Sequence, residues 1–170
     1  TANSRIVGGK MFSQIGDGGH ALGARGKQIK QNLLALPDKP TEKDVLDIGL
    51  DTRALFLEPW RKLILKTVLP LETDSKLNNK LSEILNDEHM SANVDSTSYR
   101  FVKLYRQNMA NYLFSPLVDY LSESDPAFNF KSVSKLLEVP LWQLVSQQPE
   151  NKPIMDKTWQ EIFRTVLTDT

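Results

Sequence analysis

Hydrophobic residues recur at three- and four-residue spacings along most of the chain, which is the period of an amphipathic helix. This spacing predicts helices over residues 24–36, 52–69, 74–88 and 97–122. No segment alternates apolar and polar residues for long enough to predict a strand. The inward face of the longest predicted helix carries Phe101, Leu104, Tyr105, Met109, Tyr112 and Leu113. We therefore predict an all-α fold, an antiparallel bundle of five to seven helices.

Capping residues and prolines predict several shorter helices. Thr41 and Asp44 have the spacing of a capping box, so a short helix is expected to follow Thr41. Residues 131–138 and 140–147 are two further candidates, separated by a proline. Asp156 is the expected cap of the last helix. The apolar face of that helix carries Trp159, Ile162, Phe163 and Val166.

Glycine is concentrated at the start of the chain. Seven of the eight glycines lie within the first 26 residues, where large apolar side chains are few. Because glycine loses the most backbone entropy on ordering, such a stretch is not expected to fold alone. We predict that residues 1–22 form an extended arm and that residues 23–170 form a single helical domain.

Composition excludes several kinds of chemistry. The 170 residues are 40% hydrophobic and 25% charged, which is typical of a soluble globular protein. The chain has no cysteine, so disulfides, thiol nucleophiles and cysteine-ligated metals are excluded. No apolar run approaches 18 residues, so no membrane span is predicted. Residues 1–22 lack a continuous apolar core, so no secretory signal is predicted there.

Charge is balanced overall but uneven along the chain. Basic and acidic residues number 21 each, yet residues 1–36 contain five basic residues and one acidic residue. A basic segment favours an acidic protein partner, nucleic acid or anionic lipid. The candidate partner-binding residues are Arg5, Lys10, Arg25, Lys27 and Lys30.

Two segments could contact nucleic acid or lipid. Arg100, Lys103 and Arg106 share one side of the longest predicted helix and could bind phosphates, or could form its solvated face. Residues 60–66 combine three lysine or arginine residues with four large apolar residues. They could lie at a membrane surface, or could form a core helix whose lysines reach outward.

Residues 132–148 resemble the helix-turn-helix of bacterial DNA-binding regulators, in which two short helices and a tight turn share apolar positions. Those positions are occupied by Val133, Leu137, Val139, Leu144 and Val145. The resemblance implies that Gln143 and Gln147 would reach base edges. The turn has Glu138 where the family usually has glycine, and the second helix lacks lysine and arginine. A structural helical corner is the alternative interpretation.

Two patterns are compatible with cofactor chemistry. Residues 16–21 match the G-x-G-x-x-[GA] pattern of dinucleotide-binding turns, but the strand that such a turn requires is not predicted. Glu83, Asp87 and His89 lie at the end of a predicted helix and are residue types that bind divalent metals. We prefer a solvated helix end as the explanation of these residues, so no cofactor is expected.

Three functions are compatible with these features. The first is a non-enzymatic helical subunit of a larger assembly, which docks its basic arm on a protein partner. The second is a nucleic-acid-binding protein that uses the arm and the 132–148 corner. The third is a metal- or carboxylate-dependent enzyme. We rank them in this order because the arm is expected to recover its ordering entropy only through contacts made elsewhere.

Overall fold

The computed structural model describes residues 3–16, 20–86, 90–129, 134, 136–150 and 156–170. These residues confirm the all-α class, since they form eight α-helices and no strand, with isolated bridges only at Ser4–Ala21 and Arg53–Ser91. They are consistent with a helical bundle. The helices are α1 (Gly9–Ile15), α2 (Ala24–Leu34), α3 (Glu42–Leu50), α4 (Glu58–Leu63), α5 (Ser75–Leu85), α6 (Thr97–Ser124), α7 (Glu138–Gln147) and α8 (Trp159–Thr168).

Contacts divide the chain into two compact units. Unit 1 comprises Thr1–Asp51 and Lys131–Glu138, and unit 2 comprises Thr52–Phe130 and Val139–Thr170. The arm boundary that glycine content predicts at residue 22 lies inside unit 1 and stays a prediction. Every hydrophobic residue that is buried, among those described, belongs to unit 2. The hydrophobic core is therefore the core of unit 2.

The first wall of that core is a continuous helical segment. A 3₁₀ turn (Leu55–Leu57) leads into α4, and a π turn (Ile64–Val68) and a second 3₁₀ turn (Leu69–Leu71) follow. The apolar residues Trp60, Ile64 and Val68 are buried at four-residue steps, as their spacing predicts. Their burial favours the core interpretation of this segment. No described helix has both the length and the apolar character needed to cross a bilayer.

The long helix α6 crosses this core. Its start is fixed by Ser96, whose hydroxyl accepts a hydrogen bond from the backbone N–H of Tyr99 at 3.2 Å. The buried residues of α6 are Ser98, Val102, Tyr105, Met109 and Phe114. The prediction was right for Tyr105 and Met109 but wrong for Leu104, which is 43% exposed. The buried stripe includes Val102 because α4, α5 and α8 all pack on α6 and shift its inward face.

The two helices nearest the C-terminus complete unit 2. In α8 the predicted apolar face is confirmed, and Leu167 is also buried. Its cap is Thr158 rather than Asp156, because Thr158 and Glu161 form a reciprocal capping box. The sequence predicts a break between residues 139 and 140, but α7 is continuous there. Pro140 lies in the first turn of α7, where a backbone N–H has no partner within the helix, so the proline costs no hydrogen bond. The Trp142 ring of α7 packs edge-on against Trp60, with centroids 5.3 Å apart.

One buried charged group fastens α4 to α5. The Arg61 guanidinium donates two hydrogen bonds to the Glu58 carboxylate, at 2.7 and 2.9 Å. It also donates to the backbone oxygen of Leu85 at 2.6 Å, which caps the last turn of α5. These hydrogen bonds hold the pKa of the Glu58 carboxyl below its usual range.

Candidate interaction surface

Unit 1 exposes large apolar side chains and, among its described residues, buries none. Leu34 is 76% exposed on α2, and Leu50 is 63% exposed on α3. We define the unit 1 surface as the exposed apolar and basic residues of this unit. Its apolar members are Ile6, Met11, Ile15, Leu22, Leu33, Leu34, Val45, Leu46, Leu50 and Leu136. Exposed apolar side chains in this number make unit 1 the candidate interaction surface.

The start of the chain folds back on itself within unit 1. The Ala21 N–H donates to the Asn3 carbonyl oxygen at 2.8 Å, which brings the two ends of the glycine-rich stretch together. Between them α1 is helical, where an extended arm is predicted. The difference has a physical reason, because the five residues from Met11 to Ile15 contain no glycine and suffice for a short helix. Gly23, at φ +83°, then permits the turn into α2.

Polar groups rather than a core join α2 to α3. The side-chain amides of Gln28 and Asn32 on α2 donate to one oxygen of Asp51, at 2.8 and 2.7 Å. The start of α3 has the predicted capping box, in which the Thr41 backbone N–H donates to Asp44 at 2.8 Å. Such polar contacts fix the two helices locally but bury little apolar area. The apolar faces of both helices stay exposed.

The cations predicted to contact a partner all lie in unit 1 and are all exposed. Arg5 lies over the Phe12 ring of α1, with its guanidinium carbon 4.8 Å from the ring centre. Lys10 is on α1, and Arg25, Lys27 and Lys30 are on α2, which has no acidic residue. The unit 1 surface is therefore basic along α1 and α2.

The residues proposed to contact nucleic acid lie in unit 2. Arg100 and Lys103 are exposed on α6, while the guanidinium carbon of Arg106 packs 5.3 Å from the Phe56 ring centre. Gln143 and Gln147 are exposed one turn apart on α7. Residues 132 and 133 of the helix-turn-helix resemblance lie outside the described residues. The structure leaves the use of this corner untested.

The metal and nucleotide hypotheses fall mainly on residues that the structure does not describe. Glu83 is exposed on α5, whereas Asp87 and His89 lie outside the described residues. Residues 17–19, which belong to the G-x-G-x-x-[GA] pattern, also lie outside the described residues. Within the described ranges, no three histidine or carboxylate side chains cluster as metal ligands.

Clefts lined by described residues of unit 2 include two beside α6. One of about 420 Å³ lies at the start of α6. Its lining is Ile84, Ser91, Asn93, Asp95, Ser96, Thr97 and Ser98. The other, of about 300 Å³, lies between α6 and α8 and is lined mainly by amide and hydroxyl groups. In the first cleft, the helix start favours an anion while the Asp95 carboxylate repels one, so neither sign of charge is selected.

The apolar members on α3 are the part of the surface that sequence patterning missed. Their helical spacing suggests an inward face, yet Val45, Leu46 and Leu50 are all exposed. The sequence carries no signal of this exposure, because an apolar stripe of this width is typical of a helix that faces a core. The chain matches no protein-family model, no curated protein and no solved structure. Function therefore has to be inferred from the geometry and chemistry of this surface.

Proposed function

We propose that this chain is a non-enzymatic helical subunit of a larger assembly, in which unit 2 is the folded body and unit 1 is the docking element. One observation carries the proposal: the described residues of unit 1 expose many large apolar side chains and bury none. Association would remove that apolar area from water, and each exposed leucine could contribute about 1.5–3 kcal/mol when it is fully buried.

The charge of unit 1 supports a docking role as well. The exposed cations of α1 and α2 accompany the apolar residues, so the surface has the mixed character of a protein interface. The exposed arginines and lysines would guide the approach of an acidic partner, and the apolar residues would hold it. An enzyme that depends on a metal or on carboxylates is the alternative, and the cleft that places Asp95 beside Ser91 and Ser96 is where its chemistry would be sought.

Co-purification tests this proposal. The full chain and a version lacking residues 1–51 are each purified from the native source under the same conditions. We expect defined protein partners with the full chain and their loss with the shortened chain. A control that leaves unit 1 intact, Lys76→Glu with Lys80→Glu on α5 of unit 2, should retain the partners. Equal recovery of partners with and without residues 1–51 would contradict the proposal.

The nucleic-acid alternative predicts a different result. Binding through several phosphates weakens steeply as salt rises, with a logarithmic slope close to the number of phosphates neutralised. If the full chain bound duplex DNA or RNA with such a slope, and Arg100→Ala with Lys103→Ala reduced that slope, the nucleic-acid function would replace the docking function.

A further inference from the structure

We infer that the unit 1 surface is covered by a second copy of this chain, with α2 of each copy packed against α3 of the other. This inference rests on the proposed docking function and names the partner of the same surface. It follows from the charges and the exposed apolar residues of these two helices.

The two helices carry opposite charges. Helix α2 has Arg25, Lys27 and Lys30 and no acidic residue, which gives a net charge of +3. Helix α3 has three acidic residues and one lysine, which gives −2. In a two-fold symmetric pair, α2 meets the partner's α3 twice, once on each side of the axis. Both contacts then join opposite charges, so the surface is complementary to itself.

The apolar residues of the two helices could form the shared core. Leu33 and Leu34 on α2, and Val45, Leu46 and Leu50 on α3, are between 49% and 76% exposed. The two leucines lie at the C-terminal end of α2, and the three exposed apolar residues of α3 lie from its middle to its C-terminal end. Two such helix pairs would form a four-helix arrangement, which is a common way to bury one apolar face of each helix.

Other occupants fit this surface less well. Nucleic acid and anionic lipid would be attracted by α2, but both would be repelled by the net negative charge of α3 beside it. The contact area available on two short helices is at the lower end for specific complexes. We therefore expect a reversible dimer with a dissociation constant on the order of micromolar.

Charge exchange between the helices tests this arrangement on the full chain. One variant carries Lys27→Glu with Lys30→Glu, which makes α2 acidic. The other carries Glu42→Lys with Asp47→Lys, which makes α3 basic. Sedimentation equilibrium should show self-association of the wild type and at least tenfold weaker self-association of each variant. An equimolar mixture should regain dimers to within about threefold of wild type, because both helix contacts are again opposite in charge.

Two further variants separate this result from a general charge effect or a folding defect. Lys76→Glu with Lys80→Glu makes the same charge change on α5 and should leave self-association unchanged. Leu34→Gln removes the most exposed leucine of α2 and should weaken self-association, while circular dichroism stays that of the wild type. Failure of the mixture to form dimers would overturn the arrangement even if each variant is folded.

The outcome for the proposed function can be read separately. If the full chain is monomeric at every concentration but loses its co-purifying proteins without residues 1–51, this inference fails and the docking function stands. If removal of residues 1–51 alters neither self-association nor co-purification, both fail.

Discussion

Removal of residues 1–51 is expected to leave the folding stability of unit 2 almost unchanged. The described part of this stretch contributes no buried hydrophobic side chain, and every buried one among the described residues belongs to unit 2. The free energy of unfolding should therefore change by less than about 1 kcal/mol. For comparison, a single Ile162→Ala substitution in the core should cost about 2–5 kcal/mol, because Ile162 is fully buried on α8.

Urea denaturation followed by tryptophan fluorescence is the appropriate assay. All three tryptophans, Trp60, Trp142 and Trp159, belong to unit 2, so the signal reports on the same unit in both proteins. The slope of the unfolding free energy against urea should also stay the same, because that slope scales with the surface exposed on unfolding. The melting temperature should shift by less than about 4 °C.

A loss of more than about 2 kcal/mol would refute this reasoning. It would mean that residues 1–51 complete the core of unit 2 in solution, and the unit 1 surface would then be an internal contact. The control is the Ile162→Ala chain, which must be measurably destabilised in the same assay to show that the assay resolves such a change.

Four further predictions concern the interior of unit 2. Tyr105→Phe should stabilise the protein by up to about 1 kcal/mol in thermal melting, because the buried Tyr105 hydroxyl has no partner among the described residues; destabilisation would reveal a partner. Arg61→Leu should destabilise by about 3–5 kcal/mol, since it leaves Glu58 and the Leu85 oxygen without their donor. The hydrogen bonds from Arg61 lower the pKa of Glu58 on folding. The ionised Glu58 carboxylate therefore stabilises the folded protein above about pH 4.3, and this stabilisation is lost as pH falls through the pKa of the folded state. Glu58→Gln should flatten that acid limb in denaturation measured against pH. Trp159→Ala should cost about 3–5 kcal/mol; a loss below 1 kcal/mol would place its side chain outside the core in solution.

Sequence patterning predicted helices well where one face meets one core. The predicted apolar face of α8 is buried because a short helix lies against α6 and the π turn along a single stripe. The pattern was less accurate for α6, which several helices contact at different angles. Which residues of α6 are buried therefore depends on where the neighbouring helices pack as well as on the helical period. Val102 is buried for this reason, whereas Leu104 is exposed.

Patterning could not predict which amphipathic helices find a core. In sequence, α3 looks like a core helix, and only the structure shows that Val45 and Leu46 are exposed. Amphipathic spacing indicates that one face of a helix favours burial, but it does not indicate whether the residues that bury it belong to the same chain. The predicted partner-binding cations are all exposed, although the pairing of α2 with α3 through Asp51 was not foreseen. A hydrogen bond between side chains 23 residues apart has no effect on the spacing of hydrophobic residues, so the sequence pattern does not reveal it.

The described residues of unit 1 bury no hydrophobic side chain, and this also affects how long an unassembled copy of the chain survives. Segments held by few apolar contacts open with little free energy, and proteases cut such segments first. In a copy bound to its partner, unit 1 would be protected from proteases. In an unbound copy, unit 1 would be accessible to cleavage. Turnover could thus keep the amount of the protein matched to the number of complexes that can receive it.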